Sequence, residues 1–370
     1  RRRRRVAVRM RGLRARPILA SGLARAKLLL FGEHVALFGW PAVGTPLDEA
    51  CRVSFCPDDT ATDASCRFPD LPGKLAAAAT QVLERALAAI PKLVLPQGHF
   101  LVSSTIPTGS GYGSSAAFSA ALAATLLKLE AMEAGWPAQG APGTSQYRQG
   151  CDQQLWEFAN HLDGHFHGKA SGIDTGLAIA CGPCAFLPKA GETPGIGLER
   201  RGLHRHEQSG ELWIVHATLP RSSNTRDLVA TVRRGFEAGD PRFVHGLASL
   251  GRISQSAIGL LDGNGSASDL GELADQAQAI LGNLGLSCLE LEAALTMGRA
   301  AGASGGKLSG AGGGGAFYLW APDESTARRI ASALDTSGLP LTSPPRCLAL
   351  ALTNADNAAS CWNGNTPAAG

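Results

Sequence analysis

The chain has 370 residues, 44% of them hydrophobic, enough for a full core and for two domains. Its net charge of +3 is lopsided: nine of the 34 basic residues are arginines within positions 1–16, so the remaining 25 face 31 acidic residues and the body carries −6. An acidic body excludes nucleic acid as the expected partner, and the absence of an apolar run of about eighteen residues argues against a membrane span.

The nine cysteines are scattered and odd in number, as expected of reduced thiols in a cytoplasmic protein. Residues 1–21 are expected to be a basic leader outside the fold. They read as a flexible leader or an overcalled start, and the Arg-rich, acid-poor composition leaves a transit peptide open although serine is scarce. Residues 26–31 (Ala-Lys-Leu-Leu-Leu-Phe) read as a buried strand, followed by Gly32-Glu33-His34 and by Gly39-Trp40-Pro41. Residues 57–70 are polar and read as a loop, 73–90 as an amphipathic helix, and 99–105 as a strand.

Residues 106–117 follow, Ile-Pro-Thr-Gly-Ser-Gly-Tyr-Gly-Ser-Ser-Ala-Ala, and lead into a helix marked by Phe118, Leu122, Leu126 and Leu129. A strand, a turn with three glycines and a helix opened by two serines is built to hold an anion. Glycine lets the backbone approach closely, and the helix start offers unpaired N–H groups and the positive end of its dipole. The bland alternative is a glycine turn with a serine cap. The loop is neither a Walker A sequence, because Gly113 precedes Ser114-Ser115 rather than Lys-Ser, nor a dinucleotide fingerprint, because its third glycine comes one residue early.

Further on, 134–147 read as a mobile connection, 151–162 as a helix ending near Asp163-Gly164, and 168–176 as a turn carrying Asp174. Residues 177–180 and 184–187 read as extended, 188–210 as loop, 212–217 as strand and 220–225 as a polar turn before a helix over 226–236. Helices are expected at 241–262, 268–283 and 286–300. A second glycine-rich turn, 307–315, leads into a strand over 316–320, with a helix at 323–334, a strand at 347–352 and a disordered tail from 354. Strands and helices mix without strict alternation, which predicts an α+β fold. The Cys181-Gly-Pro-Cys184 spacing lies in an extended stretch and carries little weight as a redox motif.

Three of these segments, in this order, resemble the motifs of the GHMP kinases: 27–34 with 39–41, 107–117, and 307–315. The resemblance covers roughly residues 22–353. Ser171-Gly172-Ile173-Asp174 and the stretch from Pro220-Arg221 to Thr225 are most like the mevalonate kinase branch. It implies an N-terminal domain (22–210) resembling ribosomal protein S5 domain 2, a ferredoxin-like C-terminal domain (211–353), and a tail over 354–370. The implied activity is ATP- and Mg²⁺-dependent phosphorylation of the primary hydroxyl of mevalonate. Alternatives are a sister kinase for a phosphomevalonate or a sugar, favoured by extra cations such as Lys169 and Arg221, and a non-catalytic sensor on the same fold.

The same resemblance implies the roles. Pro107, Gly109, Ser110, Gly111, Gly113, Ser114, Ser115 and Ala116 would cradle the ATP phosphates, with Gly310 and Gly312 beside them. Ser115 and Asp163 would hold Mg²⁺. Asp174 would accept the hydroxyl proton, with Lys27 steadying it and the phosphoryl group. Glu33, His34 and Thr225 would lie on the substrate side. No nucleic acid or membrane partner is implied, and a homodimer is left open. The chain departs from the usual motifs in Ala24-Arg25-Ala26-Lys27 for Ala-Pro-Gly-Lys, in Tyr112 for Leu, and in Asp163 for Glu. A cluster of His161, His165 and His167 offers a weaker, transition-metal reading.

Overall fold

The structure, a computed structural model, describes residues 18–58, 67–133, 145–167, 170–189, 197–203, 211–221 and 225–350. The arginine-rich stretch 1–17, the connection over 134–144, Lys169 and the tail from 351 lie outside the described residues.

The first sheet is built on β1 (Ala20–Phe31) and β2 (Ala42–Pro57). It is antiparallel, in the order β1-β2-β4-β5, where β4 is Cys184–Pro188 and β5 is Leu198–Gly202, with β3 (Gly98–Ser104) also paired to β2. Residues of β1 alternate between buried and half-buried until Lys27, and every residue from there to Phe31 is buried. That change marks where the strand leaves the sheet's half-solvated edge for the interior of the molecule. β1 starts inside the stretch expected to be leader: Leu19 N–H donates to Phe55 O at 2.9 Å and Ala20 is buried, so residues 18–21 belong to the fold.

Helices α1 (Gly73–Ala89), α2 (Ser114–Glu133) and α3 (Ser145–His167) accompany this sheet, with α2 against β1 and β2 on one side and α3 on the other. α2 is long and apolar enough to cross a membrane by length and composition, but 61% of its most apolar window is buried inside the protein. A helix apolar all round is what a central core position requires. α3 continues past the expected end at 162, which places Asp163 inside the helix rather than at its terminus.

A short helix, α4 (Ile173–Ala178), replaces the extended stretch expected at 177–180. Gly172, at φ 87, turns the chain, and Gly176 N–H then bonds Gly172 O at 2.8 Å. A short apolar run does not distinguish helix from strand by periodicity. β4 (Cys184–Pro188) pairs β2, and β5 (Leu198–Gly202), in a segment expected to be loop, is the charged edge strand beside it.

The second sheet is antiparallel, in the order β7-β8-β6-β9. Its strands are β6 (Trp213–Leu219), β7 (Gly305–Leu308), β8 (Gly315–Ala321) and β9 (Ser343–Ala349). Helices α5 (Thr225–Glu237), α6 (Pro241–Leu261), α7 (Ala267–Asn283), α8 (Leu289–Ala300) and α9 (Glu324–Asp335) complete this half. One hydrophobic cluster runs through both halves, from Leu28 and Phe55 to Phe317 and Trp320. The α+β expectation holds.

Candidate active site

The glycine loop lies between β3 and α2. Gly109, Gly111 and Gly113 have φ of 74°, 94° and 75°, where a side chain would be strained. A Cβ on Gly109 would meet nothing within 4 Å, so that wall of the loop faces open space. Ser110 turns inward: its hydroxyl donates to Pro107 O at 2.7 Å and accepts from Tyr112 N–H at 3.3 Å. It therefore shapes the loop from within. Ser114, Ser115 and Ala116 form the first turn of α2, where backbone N–H groups and the helix dipole favour an anion.

Lys27 reaches this loop because β1 breaks register with β2 between Arg25 and Lys27 and again between Leu29 and Phe31. Such bulges re-aim side chains. Lys27 N–H donates to Tyr112 O at 2.9 Å. Its side chain passes over Gly113, where a Cβ would lie 2.8 Å from Lys27 Cγ, and Nζ ends 3.2 Å from Asp174 Oδ1. The side chain of Lys27 is 6% exposed and that of Asp174 42%. The ammonium is thus enclosed, while the carboxylate opens outward.

Asp174 stands in the first turn of α4, and that turn is held from several sides. Trp156 Nε1 donates to Gly172 O at 2.7 Å, Ser171 Oγ accepts from Ile173 N–H at 3.4 Å, and Arg200 Nη1 donates to Gly176 O at 2.9 Å. The Arg200 guanidinium lies 5.6 Å from the Trp156 ring centre.

The second half contributes Arg221. A Cβ on Gly111 would lie 2.8 Å from its Nη2, and one on Gly315 2.7 Å from its Nε. Burial draws the guanidinium below its ordinary pKa, and the charge of Asp174 opposes that shift. Arg221 therefore faces the same space as Lys27 and Asp174. The sequence placed it in the 220–225 stretch and as an extra cation that would favour a phosphorylated acceptor, without giving it a place in the site. Thr225, expected on the substrate side, accepts a hydrogen bond from Arg221 Nη1 at 2.5 Å. Gly310 has φ 92 and open space around its missing Cβ, whereas a Cβ on Gly312 would lie 2.3 Å from Leu286 O. Gly310 is thus free to approach a ligand, and Gly312 is a packing glycine.

Glu33 and His34 lie in the seam between the halves. The Glu33 carboxylate pairs with Lys307 Nζ, fully inside the protein. Lys307 also donates to Leu30 O at 3.2 Å and Leu308 O at 2.6 Å. Burial pushes Glu33 up and Lys307 down, and the attraction between them opposes both shifts. His34, the one non-glycine residue with positive φ (63°) among the described residues, brings Nε2 to 3.1 Å from Ala311 O. Burial lowers its pKa to about 4. The geometry thus engages both residues with the segment 307–311.

Against this geometry stand the relatives. The family models "GHMP kinases N terminal domain" and "GHMP kinases C terminal" match residues 74–182 and 257–339. The mevalonate kinase of Aeropyrum pernix is 30% identical over 335 residues, covering 87% of this chain and 95% of that protein. The chain belongs to the GHMP kinases. It is an ATP-dependent small-molecule kinase. The mevalonate kinase of Pyrococcus abyssi is 29% identical over 347 residues, 87% of this chain and 94% of that protein. The crystal structure of L. major mevalonate kinase in complex with R-mevalonate superposes with a TM-score of 0.67 at 21% identity, covering 90% of this chain and 97% of that one. At that identity it speaks for the fold.

The residues expected to hold a metal, Ser115 and Asp163, are oxygen donors, which suit a hard cation better than a transition metal. Ser115 lies in the first turn of α2, and Asp163 lies on α3, which packs along α2. Asp163 is 2% exposed, and a carboxylate so buried calls for a cation or donors. A hydroxyl and a carboxylate are oxygen ligands, and Mg²⁺ commonly takes one or two protein groups beside phosphates and water. Among the described residues no cluster of three His, Cys, Asp or Glu could hold a metal. Of the three histidines, His161 accepts from Arg85 Nε at 3.3 Å and His165 meets the Phe166 ring edge-on, while the side chain of His167 lies outside the described residues.

Proposed function

We propose that this GHMP kinase transfers the terminal phosphoryl group of ATP to the primary hydroxyl of mevalonate, giving phosphomevalonate and ADP. The observation that carries the reading is the Lys27–Asp174 pair, 3.2 Å apart and beside the glycine loop. The acceptor rests on the relatives, mevalonate kinases that span nearly the whole chain. Residues 22–210 bring the loop and Asp174, and residues 211–353 bring Arg221 and Gly310, so the reaction would run between the two halves.

Asp174, open on one side, takes the proton of the acceptor hydroxyl, and the oxygen attacks the terminal phosphorus as ADP leaves. Phosphoryl transfer asks little covalent work of the protein and much charge neutralisation. Lys27 and Arg221 supply two cations on the Asp174 side, and Gly109 to Ser115 supply backbone N–H groups on the other. Mg²⁺, held by Ser115 and Asp163, would neutralise phosphate charge. Arg221 would also bind an anionic group of the acceptor, a carboxylate or a phosphate, and so keeps the phosphorylated alternative testable.

A coupled ADP-release assay over mevalonate, phosphomevalonate, galactose and homoserine decides. Mevalonate should give the highest kcat/KM. A higher value for phosphomevalonate would move the chain to the sister activity, and no acceptor-dependent ADP release would favour the sensor.

A further inference from the structure

We infer that Tyr112 is a positioning residue, fixing the glycine loop and Lys27 from the second half of the molecule through its hydroxyl on His216. Tyr112 is 1% exposed and sits in the middle of the loop. Its carbonyl accepts the Lys27 N–H at 2.9 Å, and its N–H donates to Ser110 Oγ at 3.3 Å. The two peptide units that flank Tyr112 thus hold both the backbone that carries Lys27 and the inward turn of the loop. The side chain then leaves the first half. Its hydroxyl oxygen lies 2.8 Å from His216 Nδ1, and the two rings meet edge-on at 5.4 Å.

His216 occupies the middle of β6, the strand between β8 and β9, and is 3% exposed. Beside it, Thr218 Oγ1 of the same strand donates to the Ser343 hydroxyl of β9 at 2.8 Å. Nearby the same seam is crossed by Arg346 Nη1, 2.6 Å from Glu49 Oε1 of β2. Burial lowers the His216 pKa to about 4, with the Arg346 charge acting in the same direction. The imidazole is therefore neutral, and with its proton on Nε2 it accepts at Nδ1. Burial pushes the phenol up, so it keeps its proton and donates.

The apolar part of this arrangement needs no tyrosine. Leucine, usual at this position in the motif, would fill a core site as well but offers no hydroxyl. The hydroxyl makes loop geometry depend on where β6 sits. When the two halves are seated, the loop and Lys27 are held in register. When the seam loosens, both lose their anchor. The functional side of this inference rests on the reading of 109–115 as the phosphate cradle; the mechanical side does not.

Tyr112→Phe keeps the ring and removes the hydroxyl. In the full chain without nucleotide, amide exchange of Lys27 and of residues 110–113 should accelerate. ATP affinity by calorimetry should weaken about tenfold, the size of one buried hydrogen bond, and kcat should fall while KM for the acceptor stays level. His216→Leu should reproduce these losses. His216→Asn, whose amide oxygen can stand in for Nδ1, should recover most of them. The Tyr112→Phe/His216→Leu double variant should be no worse than the poorer single, since the two form one unit. Native exchange and native ATP affinity in Tyr112→Phe would overturn the inference, as would losses that simply add. If the native enzyme itself fails to bind ATP, the cradle reading falls, and the exchange comparison still judges the clamp.

Discussion

Asp174 and Lys27 divide their work by exposure: the carboxylate opens to an acceptor, and the ammonium is enclosed behind it. Asp174→Asn keeps the shape and removes the base, and kcat should drop by about 10²–10⁴-fold with ATP affinity nearly unchanged. Lys27→Met should also lower kcat, and the double variant should be little worse than the poorer single. Equal loss of ATP binding and rate in Asp174→Asn would instead mark the residue as structural. Asp163→Ala should raise the Mg²⁺ concentration needed for half-maximal rate, and an unchanged Mg²⁺ curve would remove it from the metal site. The meeting of Lys27 with Asp174 was legible because both lie in short local motifs. The partner of Glu33 was not, because Lys307 stands 274 positions away and only the fold brings the two together.

At the scale of elements, α4 is too short to hold itself, since an isolated turn or two of helix is unstable in water. It depends on Trp156 from α3 and Arg200 from β5. Trp156→Phe removes the hydrogen bond to Gly172 O and should displace Asp174 more than it perturbs the loop. The expected result is a kcat reduced by about ten- to a hundredfold with ATP affinity kept, read by single-turnover kinetics beside calorimetry. Equal weakening of both would show that Trp156 supports the whole first half. The helix that carries Trp156 was expected over 151–162 and only its beginning was missed, whereas Arg200 stands on a short charged edge strand that reads as loop. The long periodic helices of the second half, α6 to α8, matched their expected spans because several turns of apolar spacing leave little ambiguity.

At the scale of the molecule, the halves meet through polar groups that neither can satisfy alone. Lys307 joins Glu33 and two backbone carbonyls, between the rings of Phe31 and Tyr318 at 5.7 and 5.5 Å. Leu29 N–H donates to Ser309 Oγ at 3.0 Å, and Tyr318 donates to Leu30 O at 2.5 Å. Lys307→Met leaves a buried carboxylate uncompensated and should cost about 3–5 kcal/mol of stability. Glu33→Leu added to it should restore much of the loss, because replacing both members of a buried pair with apolar groups is often neutral. Denaturant unfolding of the two variants checks this. A double variant as unstable as Lys307→Met alone would mean that the lysine serves mainly the carbonyls of Leu30 and Leu308.

The seam also has a history in time. The Leu29 amide and the Leu30 carbonyl wait for partners 280 and 288 residues further along the chain. At ribosomal rates of about 5–20 residues per second, that interval is on the order of tens of seconds. Until then β1 can pair with β2, but the strand end that carries Lys27 to the glycine loop remains unfinished. Contacts this distant in sequence form late, after the loop-closure entropy has been met. In refolding followed by pulsed amide exchange, Leu29 should gain protection together with the strands of the second sheet and after the β1–β2 ladder. Protection of Leu29 in step with that ladder would contradict the order. A chain that assembles in this sequence acquires its phosphoryl-transfer centre as the last event of folding, so partly made copies would hold no competent site with which to spend ATP.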